Sequence, residues 1–122
     1  MEDKFLTHWF HGCETALEQM DGHGRSILLT HCGKACSGSY TRQIYVEAYQ
    51  DACDLPDFLT RLMIRLPESD FHLLGDGSTV ELTYQYCACD LVTKGYLKTP
   101  LLCECSRQSL LSNWESVLGH SA

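Results

Sequence analysis

The hydrophobic period of this chain changes once, near Phe71. Ahead of that point apolar residues recur at helical spacing, and after it they alternate. A chain that moves from a 3.6-residue to a 2-residue period calls for helices and a sheet in separate stretches, the pattern of an α+β domain. Asp76-Gly77 follows the change, and both positions tolerate positive φ, which predicts a two-residue hairpin loop. With that loop Leu73 faces Val80 and Phe71 faces Leu82, all four on one side of the ribbon. His72 then stands opposite Glu81, an ordinary cross-strand pair.

Before the hairpin the spacing predicts four helices. Leu6, Trp9, Phe10, Cys13, Leu17 and Met20 trace one face of the first, which places Cys13 in the core. Asp21-Gly22-His23-Gly24 predicts a break. The second starts at Ser26 as N-cap and runs to about Ser37, with Gly38 as its stop. Its expected inner face is Leu28, Cys32, Ala35 and Cys36, and the i, i+4 spacing lets Cys32 and Cys36 reach one point. A third helix over Tyr40–Ala52 carries Tyr45, Ala48 and Tyr49, with Cys53 packed behind it. Leu55-Pro56-Asp57 interrupts it, because the residue before a proline avoids helical conformation. The fourth carries Phe58, Leu59, Leu62, Met63 and Leu66, and Pro67 closes it.

After the turn the alternation Val80, Leu82, Tyr84, Tyr86, Ala88 predicts a long strand. Its other face bears Glu81, Thr83, Gln85, Cys87 and Cys89. Thr93 to Thr99 reads as a loop and Leu101 to Cys105 as a returning third strand, with Pro100 at its start. A loop of about five residues would set Cys89 opposite Cys103 and Cys87 opposite Cys105, four thiols in a square. A closing helix from about Ser106 carries Leu110, Leu111, Trp114, Val117 and Leu118 and ends at Gly119. The expected fold class is α+β: four N-terminal helices, a three-stranded antiparallel meander and a C-terminal helix, as a single domain over residues 1–122.

The chain of 122 residues contains eight cysteines. Its Met-Glu-Asp-Lys start lacks the basic head and apolar run of a secretory signal, and no apolar run is long enough to cross a bilayer. The expected setting is the cytoplasm, where thiols stay reduced and cysteine-rich patterns point to metal or redox chemistry. A formal net charge of −7 argues against nucleic-acid binding through a basic surface. The candidate metal ligands are Cys32, Cys36, Cys87, Cys89, Cys103 and Cys105, with His31 beside them, and zinc is the ion such thiolates suit.

Two further readings stand beside zinc. Cys32 or Cys36 could act as a nucleophile with His31 lowering a thiol pKa, or on metal-activated water the site could hydrolyse a small sulfur- or nitrogen-containing compound. The thiols could equally be inert packing in a homodimeric interaction module. His8, His11, His23 and His120 read as surface residues. Tyr40, Tyr45, Tyr49, Tyr84, Tyr86 and Tyr96 could, with the cysteines, line a pocket for a small ligand between helices and sheet.

The run Tyr84-x-Tyr86-Cys87-x-Cys89-Asp90-Leu91-Val92, the segment Leu102-Cys103-x-Cys105-Ser106, and Trp114-Glu115-x-Val117-Leu118-Gly119 resemble a group of small bacterial cysteine-rich proteins. The Cys32-Gly33-x-x-Cys36 helix fits the same pattern. That group is distantly similar to 4-vinyl-reductase-type ligand-binding domains and to the aminothiazoline-carboxylate hydrolase-like family. The resemblance spans about two thirds of the chain. It implies an α+β ligand-binding domain with thiols from helix and hairpin gathered at one site. It also implies a further strand pair after the closing helix. The sequence stops at Ala122, so an open sheet edge covered by a second copy is expected.

Overall fold

The computed structural model describes residues 4–119. Helix α1 (Lys4–Gln19) is followed by α2 (Gly22–Cys36), which runs through a π turn (Ser37–Thr41) into α3 (Arg42–Asp51); then come α4 (Leu55–Arg65) and the strands β1 (Ser69–Leu73) and β2 (Val80–Tyr84). A short α5 (Asp90–Thr93) and a 3₁₀ turn (Pro100–Leu102) lead into α6 (Cys103–Leu118). The α+β class holds, with a two-stranded sheet in place of the expected meander. No described helix is long and apolar enough to cross a membrane.

The expected second and third helices are one uninterrupted rod, so three helical rods, not four helices, precede the hairpin. The rod starts earlier than Ser26 because Asp21 is the cap: its carboxylate accepts the Gly24 N–H at 2.6 Å. Gly22 and Gly24 therefore sit inside the first helical turn. Arg25 closes the neighbouring end of α1, donating to the carbonyls of Leu17 and Met20 at 2.9 Å. Gly38 does not stop the rod. Buried positions on it follow Leu29, Gly33, Ser37, Tyr45 and Ala48. Four-residue steps drift about 40° each around a 3.6-residue helix, and a wide π turn takes up part of that drift.

The hairpin has the expected register, with Leu73 paired to Val80 and Phe71 to Leu82. Its loop is longer than Asp76-Gly77. Leu74 N–H bonds the Thr79 carbonyl at 2.9 Å, leaving Gly75 to Ser78 as a four-residue loop with Gly77 at φ 73°. Asp76 organises it by accepting from the N–H groups of Ser78 and Thr79. Adding one residue to each side of a loop preserves parity, so the register survived. His72 faces Glu81 in the ladder but its imidazole bonds Asp70 at 3.0 Å on the same strand.

β2 ends at Tyr84 and does not reach Ala88. Ser69 pairs with Tyr84 and Glu68 with Gln85, and before Glu68 the chain is already in α4 and its Pro67 exit. Residues beyond 85 have no strand to pair with. The expected third strand over Leu101–Cys105 is helical instead. Thr99 accepts the Leu101 N–H and Pro100 lies in the first turn, a helix start that the strand reading overlooked. The closing helix thus begins at Cys103 instead of Ser106.

The core lies between α3, α4, the hairpin and the second half of α6. Tyr45, Phe58, Phe71 and Trp114 meet edge to face with ring centroids 5.4 to 6.4 Å apart. Ala48, Leu59, Leu62 and Leu66 complete it. α4 enters this core through a doubly capped start, where Asp54 accepts the Asp57 N–H and Asp57 accepts the Cys53 N–H. Cys53 is exposed at that break and not packed. His8, His11 and His23 are exposed, and His120 lies outside the described residues.

Candidate functional site

Where α2 crosses α6 the backbones come unusually close. A Cβ on Gly33 would sit 2.5 Å from the Cys105 carbonyl oxygen and 2.9 Å from the Ser109 nitrogen. Gly33 is thus required by close approach. One turn on, the fully buried Ser37 hydroxyl donates to the Asn113 side-chain oxygen, and the Asn113 amide donates to Thr41 Oγ1 at 3.2 Å. The crossing is built from small and hydrogen-bonded polar residues. It explains why the inner face of α2 is Leu29, Gly33 and Ser37, turned one residue from the expected Leu28, Cys32, Ala35 and Cys36.

That turn leaves Cys32 and Cys36 exposed on the flank of the crossing. Cys105, on α6 at the point of closest approach, is half-buried. Burial pushes its thiol up to about 11, and the nearby sulfurs of Cys32, Cys36 and Cys89 push in the same direction. These four come from α2, α6 and the 85–89 connection, and they lie close enough for each charge to be felt at Cys105. Cys13 on α1 joins the edge of the group: burial raises its thiol, and Cys32 adds to the rise. Cys13 is accordingly half-buried against a neighbour and not a full core residue.

Two tyrosines flank the thiols. Burial raises the Tyr40 phenol, and Glu68, Cys36, Asp90 and Cys89 add to the effect. Burial also raises Tyr84, with Glu68, Cys36 and Cys87 contributing. Cys87 therefore lies toward Tyr84 on the exposed connection. Cys103 is exposed at the start of α6 and is not among the sulfurs felt at Cys105. The expected square of Cys87, Cys89, Cys103 and Cys105 does not form, because the strand that would have carried Cys103 and Cys105 is a helix. On that helix the two are i, i+2 and face different sides.

All eight cysteines are free thiols. Among the described residues no group of three His, Cys, Asp or Glu side chains surrounds one point closely enough to hold a metal ion. The donor chemistry of Cys32, Cys36, Cys89 and Cys105 suits zinc, but their arrangement is a neighbourhood and not a closed shell. A hollow of about 380 Å³ lies elsewhere, between the start of α2 and the 3₁₀ turn, lined by Arg25, Ser26, Leu29, Leu101 and Glu104. Its Arg25 is already engaged by the α1 carbonyls.

Sequence reasoning missed Gly33, Ser37 and Asn113 as the residues that position the thiols. Their signal is a matched pair of i, i+4 small or polar steps, Gly33 to Ser37 and Ser109 to Asn113. Comparison of the chain with protein-family models, with curated proteins and with solved structures finds no match in any of the three.

Proposed function

We propose that this chain is a small thiol-based binding or sensory domain whose working part is Cys32, Cys36, Cys89 and Cys105. The reading is supported by one observation above all: four sulfurs from three separate elements share one neighbourhood at a helix crossing built to hold them there. Four thiols that repel one another as thiolates are the surroundings in which a thiophilic cation is most favourable, since its charge reverses the repulsion. Zinc is the candidate ion, and the thiols would have to turn inward from their present positions to hold it as a structural or sensing group. Cys89 is the adjustable member, because residues 87–89 carry no regular structure. A small thiol-reactive ligand entering between Tyr40 and Tyr84 is the second occupant this surface suits.

A nucleophilic reading is favoured less. Cys105, held near 11, is protonated at neutral pH and is a poor nucleophile. His31 is exposed on α2 and no bond ties it to a cysteine.

The test is zinc retention by the whole chain against a competing chelator, with free thiols counted in parallel. Cys32→Ser and Cys105→Ser are expected to weaken retention about tenfold or more, as loss of one ligand from a thiolate site should. Cys103→Ser serves as the control and should leave retention unchanged. No retained zinc, or equal losses in all three variants, would rule the reading out.

A further inference from the structure

Helix α1 presents a second apolar face that its own chain leaves open. Its inward side holds Leu17, Phe10 and Cys13, with Phe10 stacked on Tyr96 at 5.3 Å and Glu14 accepting the Lys98 N–H at 2.7 Å. A quarter turn away lie Phe5, Trp9, Gly12 and Ala16, all exposed, with Phe5 72% and Trp9 57% uncovered. Their spacings of four, three and four are the seam of a coiled-coil helix. Two large residues occupy its first half and two small ones its second. A Cβ on Gly12 would meet nothing within 4 Å.

We infer that this face is an isologous docking surface for a second copy of the chain, with the two α1 helices antiparallel. The observations that carry it are independent of the thiol cluster. About a two-fold axis between residues 10 and 11, Phe5 lies beside Ala16 of the second copy and Trp9 beside Gly12, since 5 and 16 add to the same total as 9 and 12. Every large side chain then meets a small one. A parallel pairing would set Trp9 against Trp9 and leave the Gly12 hollow empty. Antiparallel helices also oppose their dipoles.

Charge argues for the same occupant. Along the seam and its outer shoulder, Phe5, His8, Trp9, Gly12, Thr15, Ala16 and Gln19 include no Asp, Glu, Lys or Arg. Two copies with a formal net charge of −7 repel over much of their surface, and this face is where they can meet without that opposition. Trp9 is set in advance, its ring edge-on to Phe10 at 5.2 Å, so little freedom is lost on docking. A whole aromatic side chain brings about 150–250 Å² to an interface, and with Phe5 72% and Trp9 57% uncovered the four aromatics of the paired seam hide about 400–650 Å², below the standard size for specific association. The pair is a weak, concentration-dependent dimer.

Sedimentation velocity of the full chain under reducing conditions tests this, over a range from about 5 to about 500 µM that spans weak association. A reversible monomer–dimer step is expected. Gly12→Leu should raise its dissociation constant about tenfold or more by filling the hollow that Trp9 enters, while favouring the helix itself. Trp9→Ala should abolish the dimer with the far-ultraviolet spectrum of the fold intact. A monomer across the whole range would overturn the inference and leave the face to a different protein. Association by Gly12→Leu equal to or tighter than the parent would overturn it too, because a merely sticky surface gains from added apolar area.

Discussion

Helix α6 joins two packings that obey different rules. Its second half contributes Trp114, with Leu110 and Val117 beside it, to a core of Tyr45, Phe58, Leu62 and Phe71 in which large apolar groups fill space. Another face of it meets α2 and the π turn, where Gly33 and Ser37 lie against Ser109 and Asn113, backbones nearly touch and buried polar groups bond one another. The first packing draws its stability from area removed from water. The second draws it from close contact and satisfied hydrogen bonds, which tolerate almost no added volume. The thiols sit at the second, so their placement depends on steric fit and not on their own hydrophobicity.

The aromatic core should carry the larger share of stability. Phe58, 2% exposed, contacts Tyr45, Tyr49 and Trp114. Phe58→Ala is expected to cost about 3–5 kcal/mol by chemical denaturation, with loss of the near-ultraviolet aromatic signal. Gly33→Ala comes next, at about 2–3 kcal/mol, for a methyl group forced against the α6 backbone. Its distinguishing mark is local: Cys105 should become faster to alkylate under conditions where the aromatic signal is still native. If Gly33→Ala proved neutral, the close crossing would be wrong and with it the position of the thiols.

Asn113→Ala probes the polar half of the crossing. It removes the acceptor of the buried Ser37 hydroxyl and one partner of Thr41, and should cost about 1–3 kcal/mol. The double variant Ser37→Ala, Asn113→Ala should recover part of that loss, since no buried hydroxyl is then left without its acceptor. Equal costs for single and double variants would mean that the bond contributes nothing specific.

This contrast also explains what could be read in the residues beforehand. The aromatic core was legible because Tyr45, Phe58, Leu62, Phe71 and Leu82 repeat at helix or strand period, and period reports burial by hydrophobicity. The hairpin register was legible for the same reason, even with the wrong loop length. The α2–α6 crossing was not, because Gly33, Ser37, Ser109 and Asn113 carry no hydrophobic signal; a scale that scores cysteine as apolar turned the helix by one residue. The end of β2 was hidden for another reason. Tyr86 and Ala88 continue the alternation, but a strand needs a partner, and β1 is too short to supply one. Cys32 and Cys36 lie one turn apart on α2 as their spacing requires, while Cys105 approaches them from α6 and Cys89 from an irregular connection instead of across a sheet.

Alkaline pH offers the smallest and most selective separation of the two packings. Burial raises the Cys105 thiol from its ordinary 9.0 to about 11, and Cys13 moves in the same direction. Such a group holds its proton more tightly when folded, so its contribution is complete below pH 9 and is lost as pH climbs toward about 11. Tyr45, buried in the aromatic core, has its phenol pushed upward from 10.0, so the core begins to lose stability only above that point. Denaturation midpoints measured from pH 8 upward should therefore begin to fall near 9 and steepen past 10. Cys105→Ser should remove much of the first decline and leave the second. If Cys105→Ser and the parent chain followed the same curve between pH 9 and 10, Cys105 would not be held among other thiols at a buried crossing, and the contrast between the two packings of α6 would lose its chemical consequence.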